Sequence, residues 1–224
     1  MKSNKSKKNL YLVLGGVCAL NFVAHLCFYP ALPAVIPTHW GFDGAVDGTG
    51  PKWMALILAV LPFLMLALFR IIPAIDPKGK NYEKFSAIYN GFIVGMVVFF
   101  AALSWMTELA VFAPAVMNKG FVALLVPFLL GLLLLVMGNY MPRIKQNYTF
   151  GCKTPWALND EHNWNRTHRM GGIVLTLIGA VCMVSGVVGL LVPWVLTLVM
   201  PAVLIGGILW IYLYSYLVFA GKMK

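Results

Sequence analysis

Hydrophobic positions in this chain come in blocks, without the alternation of a half-buried strand or the single stripe of a soluble amphipathic helix. Blocks cover residues 10–29, 53–72, 85–107 and 121–141. A fifth runs to about Leu191, and a sixth follows Pro193 and Trp194 and ends near Phe219. Each is close to the ~20 residues that cross a bilayer core as a helix. The pattern predicts an all-α fold: a polytopic membrane protein built as a bundle of six transmembrane helices. Basic residues followed by the first apolar block imitate a signal peptide. The block is too long for one, and no small-residue cleavage site closes it, so it is predicted to remain as the first helix.

Two polar stretches interrupt the blocks and divide the chain into halves. Residues 1–120 hold a Pro/Gly-rich loop at 30–52, and residues 121–224 hold the longest polar run, a loop at 142–170. In the first loop Pro30, Pro33 and Pro37 enforce extended chain, and Gly41, Gly44, Gly48 and Gly50 permit tight turns. The second is far longer than a connection needs. It lacks Ser and contains Trp156 and Trp164, which is not the composition of a flexible linker. It is expected to be ordered without a partner. Asn139 is expected to bond the returning backbone, and Asn159 to cap a helix that starts before the membrane. Among small residues, Gly172, Gly179 and Gly186 recur every seven positions, on one helix face, as a packing seam. Gly91 and Gly95 form a weaker pair of the same kind.

Charge gives the direction of insertion. The chain is 61% hydrophobic and 11% charged, with a formal charge of +10. Basic residues alternate from one connection to the next. Lys2, Lys5, Lys7 and Lys8 lie at the start; Arg70, Lys78, Lys80 and Lys84 follow the second block; five lie in the 142–170 loop; Lys222 and Lys224 close the chain. The intervening connections hold only Lys52 and Lys119. By the positive-inside rule both termini and the long loop face the cytoplasm, and the 30–52 loop lies outside. The same rule accounts for the positive charge without nucleic acid. The expected location is the cell membrane, with lipid as the first partner. Cys18, Cys27, Cys152 and Cys182 suggest neither a disulfide framework nor a thiolate metal site.

Candidate chemistry concentrates in the two loops. His39, Asp43 and Asp47 stand four apart, a spacing open to a divalent ion or to ordinary Asx turns. Turns explain them with fewer assumptions, so no metal or other cofactor is expected. Inside, Glu161, Trp164 and His168 share a helix face, and His162, Arg166 and Arg169 form another. Basic residues beside Trp suit lipid headgroups or a docking surface for a cytoplasmic partner. Asn21 and His25 lie one turn apart in the first block. No acidic or basic residue is placed at mid-membrane depth, with Glu108 at a helix end. That argues against a proton-coupled small-solute transporter. A metal-dependent membrane enzyme or hydrolase using His39, Asp43 and Asp47 is the other alternative.

The polar positions also resemble a known family. Gly138-Asn139, Pro142, Asn147, Gly151, Lys153-Thr154-Pro155-Trp156, Leu158, Trp164 and Thr167-His168-Arg169 are similar to the SdpI family of bacterial immunity membrane proteins. Leu32-Pro33, Ile36-Pro37, His39, Gly44 and Asp47 resemble the N-terminal module often found with it. Departures are Cys152 in place of a branched aliphatic residue, Lys153 in place of Arg, and His162 in place of an acidic or similar polar residue. The resemblance implies a non-enzymatic role, resistance to a secreted peptide toxin. It also implies that some members signal by holding a cytoplasmic transcriptional repressor at the membrane. The toxin would meet Pro33, Pro37, His39, Asp43 and Asp47. Asn139, Asn147, Lys153, Thr154, Pro155, Trp156, Trp164, Arg166, His168 and Arg169 would build or present the inner face.

Overall fold

In a computed structural model, the described residues are 2–223, with side chains from residue 8. The side chains of Lys2, Lys5 and Lys7, and Lys224, used in the charge count, lie outside them. The helices are α1 (Lys2–Phe28), α2 (Met54–Ile75), α3 (Ser86–Ser104), α4 (Met106–Phe112), α5 (Lys119–Tyr140), α6 (Pro155–Asn159), α7 (Glu161–Val188) and α8 (Met200–Phe219). Among the described residues, six stretches of helix are long and apolar enough to cross a membrane. The chain is a multi-pass membrane protein of the cell membrane, as the block pattern requires. The third span, Gly79–Phe112, is not one uninterrupted helix: it breaks at Trp105, between α3 and α4.

The chain forms two compact units. The first contains Met1–Ile71 and Gly91–Val122; the second contains Ile72–Asn90 and Ala123–Lys224. Residues 72–90 therefore pack with the C-terminal part of the chain.

In the first unit the Pro/Gly loop is a two-stranded antiparallel hairpin, β1 (Val35–Trp40) and β2 (Val46–Pro51). Block spacing alone does not foresee these strands. Val35 pairs with Pro51 and Pro37 with Thr49, and the register becomes irregular around His39. Gly44 closes the turn at φ 78°, a conformation that favours glycine. The inner side of the hairpin packs Leu32 and Ile36 against Ala55 of α2, with Tyr29 and Val111 alongside.

In the second unit α7 is the central helix. One face packs on α8 through Val174, Ile178, Cys182, Met200 and Ile211. The opposite face is the glycine seam. A Cβ on Gly179 would come within 2.5 Å of the Gly131 carbonyl, and one on Gly172 within 2.7 Å of the Gly138 carbonyl. Small residues at these heights let α5 and α7 approach backbone to backbone, as membrane helices do where apolar lipid supplies no hydrophobic drive. At Gly91 a Cβ would meet nothing, so that residue does not build a second seam.

These packings give opposite expectations for two alanine substitutions. Gly179→Ala should destabilise the purified protein by about 1–3 kcal/mol through overpacking. Gly91→Ala should be neutral or mildly stabilising, because it adds helix propensity in open space. Thermal unfolding in detergent checks both.

Candidate functional site

Two polar constellations stand out, one in each unit. In the first unit, α1 is clamped to the α3–α4 break. His25 is completely buried and Glu108 nearly so, and His25 Nδ1 lies 2.5 Å from Glu108 Oε1. The imidazole stacks on Trp105 with ring centroids 4.2 Å apart, and Trp105 Nε1 donates to Asn21 Oδ1. Ser104 Oγ donates to the Ala101 carbonyl at 2.7 Å. Its proton is therefore committed, and His25 Nε2, 3.0 Å away, must be a donor to it. One remaining proton is shared between His25 Nδ1 and Glu108 Oε1. The pair is either imidazolium with carboxylate or imidazole with carboxylic acid. Glu108 stands at a helix end, as the sequence places it, in the first turn of α4, and there it is buried against His25.

The hairpin is tied to the same helix end. Thr107, fully buried, donates from Oγ1 to the Pro37 carbonyl at 2.9 Å. On the hairpin, His39 Nδ1 meets Asp47 Oδ1 at 2.5 Å, both side chains being largely exposed. Asp43 does not join them. Its Oδ1 accepts the Ala45 amide, an Asx turn. Among the described residues no three His, Cys, Asp or Glu side chains come together in a metal-binding group. Pro33 is exposed just before β1. Phe42, 58% exposed, lies in the turn.

In the second unit the loop between α5 and α7 is irregular, and side chains satisfy its backbone. Asn147 is fully buried. Its Oδ1 accepts the amides of Thr149 and Phe150, and its Nδ2 donates to the carbonyls of Lys145 and Phe150. Gln146 Nε2 donates to the carbonyls of Ala157 and Leu158. Asp76, just after α2, accepts from the Tyr148 amide, the Thr149 hydroxyl and the Lys78 amide. Tyr82 Oη lies 3.1 Å from both Asp76 Oδ2 and Asn147 Oδ1. Burial alone would raise the Asp76 carboxyl, but these donors outweigh it and hold the group below its ordinary value.

The second layer of this site rests on α7. Trp164 is completely buried, donates from Nε1 to the Ile144 carbonyl at 2.9 Å, and stacks on His168 with centroids 3.9 Å apart. His168 Nδ1 lies 2.9 Å from the Trp164 carbonyl, and its Nε2 accepts the Cys152 amide. This fixes a neutral imidazole protonated at Nδ1. Gly151, at φ 114°, lies against that ring, where any Cβ would strike Nε2. Burial pushes the Cys152 thiol up to about 11, and its side chain packs with the α7–α8 core as an apolar group would. Thr154 caps α6 by accepting the Ala157 amide, and its hydroxyl lies 2.5 Å from Ser215 Oγ. Pro155 occupies the first turn of α6, and Trp156 sits among Tyr212, Tyr216 and Phe219.

Several sequence-based expectations change. Asn139 is exposed and its side chain makes no hydrogen bond among the described residues; Gln146 and Asn147 do the bonding instead. The cap of α7 is Asp160, accepting the His162 and Asn163 amides, and Asn159 ends α6. Trp164 and His168 are interior groups, not parts of a docking face. Of the inner-loop residues, Lys153 and Arg169 are exposed and Arg166 is half-buried, donating to the Tyr214 hydroxyl at 3.3 Å. Asp76, Tyr82, Gln146 and Ser215 were not foreseen. Asp76 and Tyr82 lie about 65 residues or more from their loop partners, and only a long-range pairing signal reveals them.

The profile of the SdpI/YfhL protein family matches residues 143–215. This stretch is similar to that family. It contains Asn147, Thr154, Trp164, His168 and Ser215, the residues that hold the loop. Residues 16–66, which include the hairpin, match a domain of unknown function, DUF1648. The chain is also 25% identical over 174 residues to "Immunity protein SdpI" of Bacillus subtilis (strain 168), covering 77% of this chain and 78% of that one. No solved structure matches.

Two measurements check the loop between α5 and α7. Asn147→Ala strands buried amides and carbonyls and should cost about 3 kcal/mol of stability, whereas Lys153→Ala should stay within about 0.5 kcal/mol. The lowered Asp76 carboxyl contributes stability that is fully present above its ordinary unfolded value, near pH 4, and is lost as pH falls through the lower folded value. Thermal stability should therefore drop on acidification below about pH 4, and Asp76→Asn should weaken that dependence.

Proposed function

We propose that the protein is a membrane immunity protein that protects its cell from a secreted antimicrobial peptide toxin, without enzymatic chemistry. The observation that carries this reading is the similarity to Immunity protein SdpI. It runs over 174 residues, well beyond the 143–215 region. The hairpin is the surface offered to the peptide. It presents Phe42, Val35 and Val46 as exposed apolar side chains beside the exposed His39–Asp47 pair. A peptide active on membranes carries both apolar and charged groups, and this surface complements both. Pro33 and Pro37 stiffen the approach to it. With both termini inside, the hairpin faces outward.

The inner face is proposed to carry a signal by holding a cytoplasmic repressor. A shallow groove of about 440 Å³ is lined by His162, Asn165, Arg166, Arg169 and Tyr214. Its cationic rim suits an acidic protein surface, and Lys153 is exposed in the same region of the chain.

Protection assays separate the two roles. Phe42→Ser and His39→Ala should reduce survival of toxin-treated cells at unchanged membrane abundance. Arg166→Ala with Arg169→Ala should preserve survival and abolish transcriptional response. If the chain gives no protection against peptide toxins of kin cells, the immunity reading fails. Cysteines placed at Thr49 and Asn165, in a cysteine-free background, should label from opposite sides of the membrane; labelling from one side would overturn the orientation.

A further inference from the structure

A second groove, of about 810 Å³, lies at the end of α2 in the second unit. Four lysines line it: Lys78, Lys80, Lys84 and Lys145. Two carboxylates also line it, Asp76 and Glu161. Asp76 is already saturated by loop donors. The groove therefore keeps an excess of positive charge. Lys78 Nζ donates to Gln146 Oε1. The ammonium groups of Lys80, Lys84 and Lys145 make no hydrogen bond or ion pair among the described residues, although Lys145 is half-buried. A partly desolvated ammonium without an anion is costly, and a bound anion offsets that cost.

The floor is built rather than incidental. Gln146 is nearly buried and bonds four ways: to the carbonyls of Ala157 and Leu158, to Lys78, and through its own carbonyl to Asn81 Nδ2 at 2.7 Å. Lys78 and Lys145 are thus mounted on a fixed platform. Its depth is set by the spans. Ile75, the last residue of α2, is 67% exposed, and the next span begins at Gly79. An exposed apolar side chain at the end of a membrane-spanning helix thus lies three residues before Lys78. Tyr148, also exposed, has the Lys78 ammonium 5.7 Å from its ring centre. Apolar and aromatic edges bordering a cationic recess at a span end match a lipid: tail on one side, phosphate on the other.

We infer that this groove binds the phosphate headgroup of an anionic membrane lipid. The recess takes the phosphodiester among Lys80, Lys84 and Lys145, with Asn81 and Gln146 as its neutral wall. Lysine suits this task, as a mobile point charge that needs no fixed bidentate geometry.

The test uses the full chain in nanodiscs of phosphatidylcholine alone or with phosphatidylglycerol, read by native mass spectrometry of retained lipid and by melting temperature. Phosphatidylglycerol should be retained roughly tenfold over phosphatidylcholine and should raise the melting temperature. Lys80→Gln/Lys84→Gln/Lys145→Gln should abolish both effects while melting normally in phosphatidylcholine. The corresponding Lys→Arg triple variant should retain them, and Lys52→Gln/Lys119→Gln should leave them intact. Equal lipid preference in the Gln triple variant and the parent would overturn the inference. So would a Gln triple variant that melts early in phosphatidylcholine alone, since the lysines would then be structural. Inorganic phosphate giving the same stabilisation in phosphatidylcholine discs would assign the recess to a free anion and overturn the lipid.

Discussion

Backbone polar groups that leave a helix beside a membrane must be satisfied by the protein, because the apolar layer supplies no partner. The loop between α5 and α7 depends on this constraint. It cannot use regular ladder bonds, so amide and carboxylate side chains take their place. Asn147 bonds to four backbone groups and Asp76 accepts two backbone amides besides a hydroxyl. Trp164 closes the layer from α7 by donating to the Ile144 carbonyl. The loop is a small folded object, and its exposed cations stand on a fixed base.

The first unit meets the same constraint differently. At the Trp105 break, α3 and α4 lose helical continuity, and the freed neighbourhood is filled by polar side chains. Asn21, His25, Ser104 and Glu108 bond among themselves, and Thr107 reaches the hairpin backbone. Burying a titratable pair there is expensive, and removing one partner of such a pair typically costs about 3–5 kcal/mol. The arrangement lets a β-hairpin, which is marginal alone, be anchored at a helix end.

Much of the fold was legible in the sequence because spans are a matter of length and composition. The six blocks appear as six spans, and the seven-residue glycine spacing appears as the α5–α7 seam. The loop's order was legible from Trp156, Trp164 and Pro155, which are poor linker residues. Its bonding was not. Asn139 looked like the bonding amide because of its place at a helix end, yet Asn147, deeper in the loop, carries that role. Asp76 and Tyr82 lie in a different connection, and nothing local marks them as partners. The hairpin was hidden because glycine and proline dilute strand propensity. His25 was visible as a polar residue in an apolar block, but its partner depended on a helix break that the apolar pattern does not encode.

Hydrogen exchange at single amides of the loop tests this account most directly, with the full chain purified in detergent and no partner present. The amides of Tyr148, Thr149 and Phe150, each held by a buried side chain, should be protected well beyond an open loop. Protection should fall at Thr149 and Phe150 in Asn147→Ala and at Tyr148 in Asp76→Asn. Free exchange at all three positions in the parent protein would contradict the account, since the loop would then be a tether that folds only on meeting a partner.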